Sequence, residues 1–156
     1  MNKKGFTLME LLIVVVIITI FAAVTYPSYR SSIERARASE AVTMVGTIKA
    51  AELKHYSNYE DWGKTFKDIN DFEPAVRGFD PSLNTFDTDF FRYTIHANTG
   101  ERTYIEAVRI NGNDSYSLRA FLTEKFIRCI YNDNNGEKVC SSLTDAEKIG
   151  NYYPIY

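Results

Sequence analysis

A single acidic side chain near the start of a long apolar segment constrains this chain more than any other feature. Residues 5–20 read Gly-Phe-Thr-Leu-Met-Glu-Leu-Leu-Ile-Val-Val-Val-Ile-Ile-Thr-Ile, and Glu10 is the one charged residue among them. Apolar residues or threonine then continue to Tyr26. A carboxylate at the centre of a bilayer costs about 2.5–3.5 kcal/mol, so acidic residues in such segments usually pair with a cation. Glu10 therefore predicts a specific positively charged partner.

The segment from Phe6 to Tyr26 has the length of a membrane-spanning helix. Its 21 residues would extend about 31 Å as a helix, which is close to a hydrocarbon core of about 30 Å. An ordinary secretory signal peptide is a weaker interpretation, because Glu10 interrupts the apolar core and Ala22-Ala23 is not a clean A-x-A cleavage site. A simple signal anchor leaves Glu10 unexplained.

The residues around this segment carry a family resemblance. Met1-Asn-Lys-Lys-Gly5 followed by Phe6-Thr-Leu-Met-Glu10-Leu-Leu resembles the N-terminal signature of type IV pilins and type II secretion pseudopilins, and the similarity extends over residues 3–27. It implies that residues 1–5 are a leader, that a prepilin peptidase cuts between Gly5 and Phe6, and that the new Phe6 amine is N-methylated. It also implies that Glu10 pairs with the N-terminal amine of a neighbouring subunit, so that two charges that are costly in lipid neutralise each other.

Pro27 lies 21 residues after Phe6, at the position of the helix-kinking proline of the resembled family. A proline inside a helix removes one backbone hydrogen bond and bends the helix axis. The chain departs from the family at Thr19, where a glycine is usual.

Residues 27–57 are predicted to continue the same helix as an amphipathic half. Apolar residues recur mostly at spacings of three and four, at Ile33, Ala36, Ala41, Met44, Val45, Ile48, Ala51 and Leu53. Charged residues take much of the remaining surface, at Arg30, Glu34, Arg35, Arg37, Glu40, Lys49, Glu52 and Lys54. Gly46 either permits close contact with a strand or is a neutral surface glycine.

The rest of the chain predicts a sheet packed on this helix. Residues 58–88 lack a sustained period and are expected to be a packed connection, with a short helix near 64–70. From residue 89 to 156, four runs alternate like strands, at 91–96, 103–110, 116–122 and 126–131, and a short helix is considered at 144–148. Turn signals occur at 98–100, 111–113 and 132–136. We therefore expect an α+β fold in which a roughly four-stranded antiparallel sheet packs on the long helix, with residues 27–156 as one globular domain.

Cys129 and Cys140 are the two cysteines of the chain. They could bind a metal, react, or form a disulfide, and the lack of a second pair of ligands nearby disfavours zinc. The resemblance places the domain outside the cytoplasm, where a disulfide is the expected state. Such a bond would resemble the C-terminal disulfide loop of many pilins.

Composition and motifs argue against catalysis and against nucleic acid. His55 and His96 are the only histidines, and neither a phosphate-binding loop nor a Gly-x-Ser-x-Gly elbow occurs. The net charge of −2 becomes −4 when the leader with Lys3 and Lys4 is removed, and no large basic patch is present. Residues 132–137 have the composition of a calcium loop without its spacing, so a hairpin turn is preferred, no cofactor is expected, and calcium is the minor alternative.

These features predict a structural subunit of a type IV pilus, not an enzyme. The resemblance implies that the protein is held in the inner membrane as a single-pass protein and then assembles into a periplasmic or cell-surface filament. Its implied partners are other copies of itself, a prepilin peptidase, an assembly platform protein and an assembly ATPase. Two alternatives stay open: a pseudopilin of a type II secretion system, and a membrane-tethered extracytoplasmic binding domain that does not polymerise.

Overall fold

The computed structural model describes residues 5–69, 72–76, 78–97, 103–112 and 114–156. The chain divides into two units, the first ending at Glu34 and the second running from Arg35 to Tyr156. A long helix, α1 (Leu8–Tyr59), contributes to both units. Its bounds lie within two residues of the helix predicted over 6–57.

The end of α1 is set by a residue in the left-handed conformation. Glu60 has a φ of 55°, and its N–H donates to the carbonyl oxygen of Tyr56 at 2.8 Å. This arrangement satisfies one of the carbonyl groups that a helix leaves free at its C-terminus. The backbone therefore leaves the helix directly after Tyr59.

In the second unit, one face of α1 is fully buried at Ala38, Ala41, Val45 and Ile48. Their spacing of three and four residues places them on one side of a helix. They share a single hydrophobic core with side chains of the sheet, among them Ile95, Ile105 and Leu118. The small Ala side chains let the helix approach the sheet closely.

The predicted apolar and charged faces of α1 are partly wrong. The helical spacing predicts Ala36 and Leu53 on the apolar face, but both are exposed. Glu52 was assigned to the exposed charged face but is fully buried, because it lies four residues after Ile48 and so falls on the buried side of the helix.

Within the described part of the chain, the sheet has six strands in the order of the sequence, and every neighbouring pair is antiparallel. The strands are β1 (Thr85–Asp87), β2 (Phe91–His96), β3 (Tyr104–Arg109), β4 (Tyr116–Phe121), β5 (Ile127–Tyr131) and β6 (Tyr152–Ile155). The four central strands correspond to the four predicted runs, which confirms the α+β class and the antiparallel arrangement.

The expected count of four strands is corrected to six by the two edge strands. β1 has three residues, which is too short to show alternation, and lies inside the predicted 58–88 connection. β6 contains Pro154, which a sequence pattern counts against a strand. Proline is tolerated there because β6 lies at the edge of the sheet and pairs with one neighbour.

The predicted hairpin turn at 132–136 is wrong, because these residues open a second helix, α2 (Asn134–Ser142). Asp133 is its N-cap, and the Asp133 carboxylate accepts a hydrogen bond from the Gly136 N–H at 2.6 Å. The Asn-rich sequence is compatible with both a turn and a helix start. Residues 144–148 and the described residues 64–69 contain turns or bends in place of the short helices considered there.

The other two turn signals have different outcomes. The signal at 98–100 lies outside the described residues. The signal at 111–113 falls between β3 and β4, and Asn111 adopts a left-handed φ of 56° there. Asparagine tolerates this conformation better than most residues.

The connection between α1 and β1 is held by an aromatic cluster. The rings of Phe66, Phe72, Phe79 and Phe86 pack with centroid distances of 5.0 to 6.3 Å. Edge-to-face and tilted contacts of this kind stabilise a core beyond the area that they bury. The long connection is therefore packed, as the sequence predicted.

Candidate processing and assembly site

The start of α1 is closed by a reciprocal pair of hydrogen bonds between Thr7 and Glu10. The Thr7 backbone N–H donates to Glu10 Oε2 at 2.9 Å, and the Glu10 N–H donates to Thr7 Oγ1 at 3.2 Å. The Thr7 hydroxyl also donates to Glu10 Oε2 at 2.9 Å. This is the capping box of a Thr-x-x-Glu sequence, which satisfies two N–H groups that a helix start leaves free.

An exposed apolar surface surrounds this cap. Phe6 is 84% exposed and Leu8 is 91% exposed, and every described residue from Gly5 to Ser32 is exposed. By length and composition, α1 contains a stretch that could cross a membrane, and none of that stretch is buried within the protein. An uncovered apolar surface of this size requires lipid or other protein around it.

The other polar side chains of the apolar segment are internally satisfied. The Thr19 hydroxyl donates to the Val15 carbonyl oxygen at 2.7 Å, and the Thr25 hydroxyl donates to the Phe21 carbonyl oxygen at 2.8 Å. Such bonds to the preceding turn let hydroxyl groups sit in an apolar helix at low cost. They leave the Glu10 carboxylate as the group that needs an external partner.

Glu10 has one oxygen available for that partner. Both hydrogen bonds from Thr7 use Oε2, and within the described ranges Oε1 accepts none. The sequence from Phe6 to Tyr29 contains no lysine, arginine or histidine that could supply a cation from the same segment. A positive group that pairs with Oε1 must therefore come from outside this segment.

Pro27 lies inside α1, and the helix is continuous on both sides of it. Its ring nitrogen carries no hydrogen to donate to the carbonyl group four residues earlier. The predicted kink at Pro27 stays a prediction, as does any consequence of Thr19 in place of glycine.

The second unit contains the predicted disulfide. Cys129 on β5 and Cys140 on α2 are bonded, with a Cα–Cα distance of 5.5 Å, and both residues are fully buried. The bond attaches α2 to the strand that precedes it. The pairing expected for these two thiols is confirmed.

The segment considered for calcium uses its carboxylates within the protein. Asp133 Oδ2 accepts from the Ser115 N–H at 3.1 Å, in addition to its capping bond to Gly136. Glu137 Oε1 accepts from the Tyr131 hydroxyl at 3.0 Å and from Lys148 Nζ at 2.8 Å. Among the residues that the structure describes, no group of three or more His, Cys, Asp or Glu could hold a metal ion. The expectation of no cofactor, with calcium as the minor alternative, stays a prediction that these contacts do not test.

Of the predicted site residues, Gly5, Phe6 and Glu10 lie together at the start of α1, whereas Cys129 and Cys140 belong to the other unit. Thr7 is a participant that the sequence analysis missed. The signal was present, since a Thr three residues before a Glu at the start of an apolar run is the sequence pattern of a capping box.

The comparison with known proteins identifies the same N-terminal region. The family model for the prokaryotic N-terminal methylation motif matches residues 1–26. A fimbrial protein of Neisseria meningitidis serogroup B is 43% identical over 60 residues, which are 38% of this chain and 35% of that protein. The type IV major pilin protein PilE of Neisseria gonorrhoeae is 44% identical over 62 residues, 40% of this chain and 37% of its own length.

A fimbrial protein of Moraxella nonliquefaciens is 42% identical over 69 residues, 44% of this chain and 42% of its own length. The chain thus matches about a third to two fifths of the length of these relatives. No solved structure matches the chain significantly. The recognition of a pilin-type N-terminus is confirmed.

Proposed function

We propose that this chain is a structural subunit of a type IV pilus. Processed copies assemble from the inner membrane into a filament through their N-terminal helices. The observation that carries the proposal is the state of the Glu10 carboxylate. One of its two oxygens accepts the hydrogen bonds of the helix cap, and the exposed apolar segment around it contains no basic residue that could neutralise its charge.

The missing cation is the N-terminal amine that processing would create. Cleavage between Gly5 and Phe6 by a prepilin peptidase removes residues 1–5 and leaves a positive amine on Phe6, which is then N-methylated. Gly5 and Phe6 are both exposed, as a protease substrate requires. Methylation of the amine keeps its positive charge.

Glu10 and the Phe6 amine of a neighbouring copy then neutralise each other. Each charge alone is costly in a hydrocarbon environment, and the pair costs less than the two charges separately. Packing apolar helices against each other in place of lipid changes little hydrophobic free energy, so specific polar contacts decide the alignment of neighbouring subunits. Glu10 therefore sets the register of the helices.

The remaining components follow from this function. The unassembled protein is held in the inner membrane by residues 6–26 and becomes part of a periplasmic or cell-surface filament. An assembly ATPase and a platform protein in the inner membrane would drive extraction. The Cys129–Cys140 disulfide is the feature for which we prefer a pilus to a secretion pseudopilus.

The experiment separates the charge of Glu10 from its role as a helix cap. Glu10→Gln keeps a carbonyl oxygen that can accept the Thr7 bonds but removes the charge. Thr7→Val removes the capping hydroxyl but keeps the charge. Each variant replaces the wild-type gene in its own cells, and filaments are counted by electron microscopy while membrane-inserted protein is measured by fractionation.

We expect Glu10→Gln to abolish filaments with normal membrane insertion, and Thr7→Val to keep them. Mass spectrometry of the mature protein should show a methylated N-terminal Phe6. Normal filaments from Glu10→Gln would refute the role of the charge. Absence of filaments from the wild-type chain under all conditions, with Glu10→Val unchanged in every assay, would instead favour a membrane-tethered domain that does not polymerise.

A further inference from the structure

Glu52 is a buried carboxyl group for which neither the assembly site nor the core packing requires an acid. Its side chain lies on the buried face of α1 in the second unit and is fully inaccessible to solvent. Aspartate and glutamate are almost never fully buried unless they are paired. Glu52 therefore needs a separate explanation.

The contacts of Glu52 are with a short segment that follows α1, residues Trp62–Lys64. Glu52 Oε2 accepts a hydrogen bond from the Gly63 N–H at 3.0 Å. Glu52 Oε1 has no hydrogen-bond partner among the described residues. A Cβ at Gly63 would lie 3.1 Å from Oε1 and 3.0 Å from Ile69 Cγ2, so the absence of a side chain there permits the close approach.

The environment of Glu52 favours its neutral form. Burial raises the pKa of Glu52 to about 7, and the negative charge of Asp68 acts in the same direction, while the Gly63 hydrogen bond opposes them. His55 on α1 interacts electrostatically with Asp68. Asp61 and Lys64 lie on either side of Trp62 and Gly63 in the chain.

The Trp62–Lys64 segment lies between two well-anchored positions. Before it, Glu60 closes the end of α1. At its last residue and just after it, Asp68 Oδ2 accepts from the N–H groups of Lys64 and Thr65, both at 2.9 Å, and Phe66 is buried in the aromatic cluster. The segment itself is held on α1 by the Glu52–Gly63 hydrogen bond and by the Trp62 ring, which stacks on the Tyr56 ring with a distance of 4.1 Å between the ring centroids.

We propose that Glu52 is a proton-dependent latch, which holds the Trp62–Lys64 segment on α1 while its carboxyl group is neutral and releases it when the group ionises. An ionised carboxylate with one hydrogen bond cannot stay in an apolar site without a large cost. Movement of the segment lets water reach both oxygens, and both ends of the segment can stay anchored meanwhile. The proposal concerns the second unit and does not depend on the pilus function.

Release of the latch also changes a neighbouring cavity. Lys64 lines a cavity of about 390 Å³ together with Asn84, Ile95, His96, Ala97 and Tyr104. When Trp62 and Gly63 leave α1, the N–H of Lys64 stays on Asp68 and the Lys64 side chain takes a new position at this cavity. The protonation of Glu52 thus controls the shape of a surface site on the second unit.

The test uses the fluorescence of Trp62, which is the one tryptophan in the chain. The full-length protein in detergent micelles is titrated from pH 5 to 9, and both the emission maximum and quenching by acrylamide are recorded. We expect one transition centred near pH 7, about two pH units wide as for a single proton, with greater quenching on the alkaline side.

Three variants assign the transition. Glu52→Gln should abolish it and keep the low-pH spectrum at every pH. Glu73→Gln, which changes an exposed glutamate in the following connection, should leave it unchanged. His55→Gln should also retain it, because His55 acts on Asp68 and takes no part in the proposed contact between Glu52 and Gly63.

A measurement on the wild-type chain keeps the test valid if Glu52→Gln does not fold. The amide proton of Gly63, followed by NMR in the same micelles, should show a chemical-shift change with the midpoint of the fluorescence transition. A flat wild-type fluorescence profile would refute the latch. So would a transition that survives in Glu52→Gln, or one that disappears in His55→Gln.

Discussion

The ammonium group of Lys49 on α1 donates to the carbonyl oxygen of Phe121, the last residue of β4, at 2.9 Å. It also donates to the carbonyl oxygen of Glu124 in the turn before β5. Burial lowers the pKa of Lys49, and the charge of Glu124 partly offsets this effect. One charged side chain, predicted from sequence to lie on an exposed face, thus links the helix to a turn of the sheet.

Lys49→Met should destabilise the second unit by about 1–3 kcal/mol, because two carbonyl groups lose a charged donor while most of the apolar stem is kept. The free energy of unfolding, measured with urea in detergent micelles, checks this. Lys67→Met is the matched control, since Lys67 is exposed, and should change stability by less than about 0.5 kcal/mol. Equal effects of the two substitutions would contradict the role of Lys49.

Gly136→Ala should be strongly destabilising, whereas Gly46→Ala should not. A Cβ at Gly136 would lie 2.4 Å from the carbonyl oxygen of Ser115, so backbone must move, at a cost of about 1–3 kcal/mol. A Cβ at Gly46 would meet nothing within 4 Å, and alanine is the better helix former by about 1 kcal/mol. Thermal unfolding should therefore shift to lower temperature for Gly136→Ala and to higher temperature for Gly46→Ala.

Removing the disulfide should lower the free energy of unfolding by about 2–4 kcal/mol. The double variant Cys129→Ala/Cys140→Ala is compared with the wild-type protein in the presence and absence of dithiothreitol. Reductant should lower the unfolding midpoint of the wild type and leave that of the double variant unchanged. A wild-type midpoint that does not respond after complete reduction, verified by thiol titration, would contradict this expectation.

Glu52 should make the protein less stable as the pH rises. Its folded-state pKa of about 7 exceeds the value of 4.5 for an ordinary glutamate, so the folded state binds this proton more tightly. Its stabilising contribution is therefore complete below pH 4.5 and is lost as the pH rises through 7, with a total change of about 3 kcal/mol.

Unfolding free energies between pH 4 and 8 test this sign. Glu52→Gln should flatten this part of the profile and exceed the wild type in stability at pH 8. Glu73→Gln should follow the wild-type profile. If Glu52→Gln proves less stable than the wild type at pH 8, ionised Glu52 is stabilising and the assignment is wrong.

Local patterns predicted the parts of the fold that depend on neighbours in the chain. The alternation of β2 to β5 survives in the sheet because each strand has one face on the core. β1 and β6 were missed because three residues carry no period and because Pro154 is acceptable at an edge, which no local pattern reveals. α2 was missed because the same Asn and Asp residues favour turns and helix caps.

At the candidate site, the sequence identified Glu10 because a charge in an apolar run is conspicuous without any structure. Its capping partner Thr7 stands three residues earlier, at the spacing of a capping box. The latch residue Glu52 is predicted on the exposed face but is buried. Helical spacing shows on which side of the helix a residue lies, but it does not show how much of the helix surface the sheet covers.

By itself, the sequence determined the length of the apolar segment, the place of its one acid and the identity of the disulfide partners. Each of these is a property of composition or of residues close in the chain. The tertiary structure alone decided three contacts. The Glu52 carboxyl group accepts from the Gly63 N–H, the Lys49 ammonium group donates to the Phe121 carbonyl oxygen, and the backbone of Ser115 leaves no space for a side chain at Gly136. These depend on backbone groups from different elements brought within hydrogen-bonding or van der Waals distance, which only the packed chain specifies.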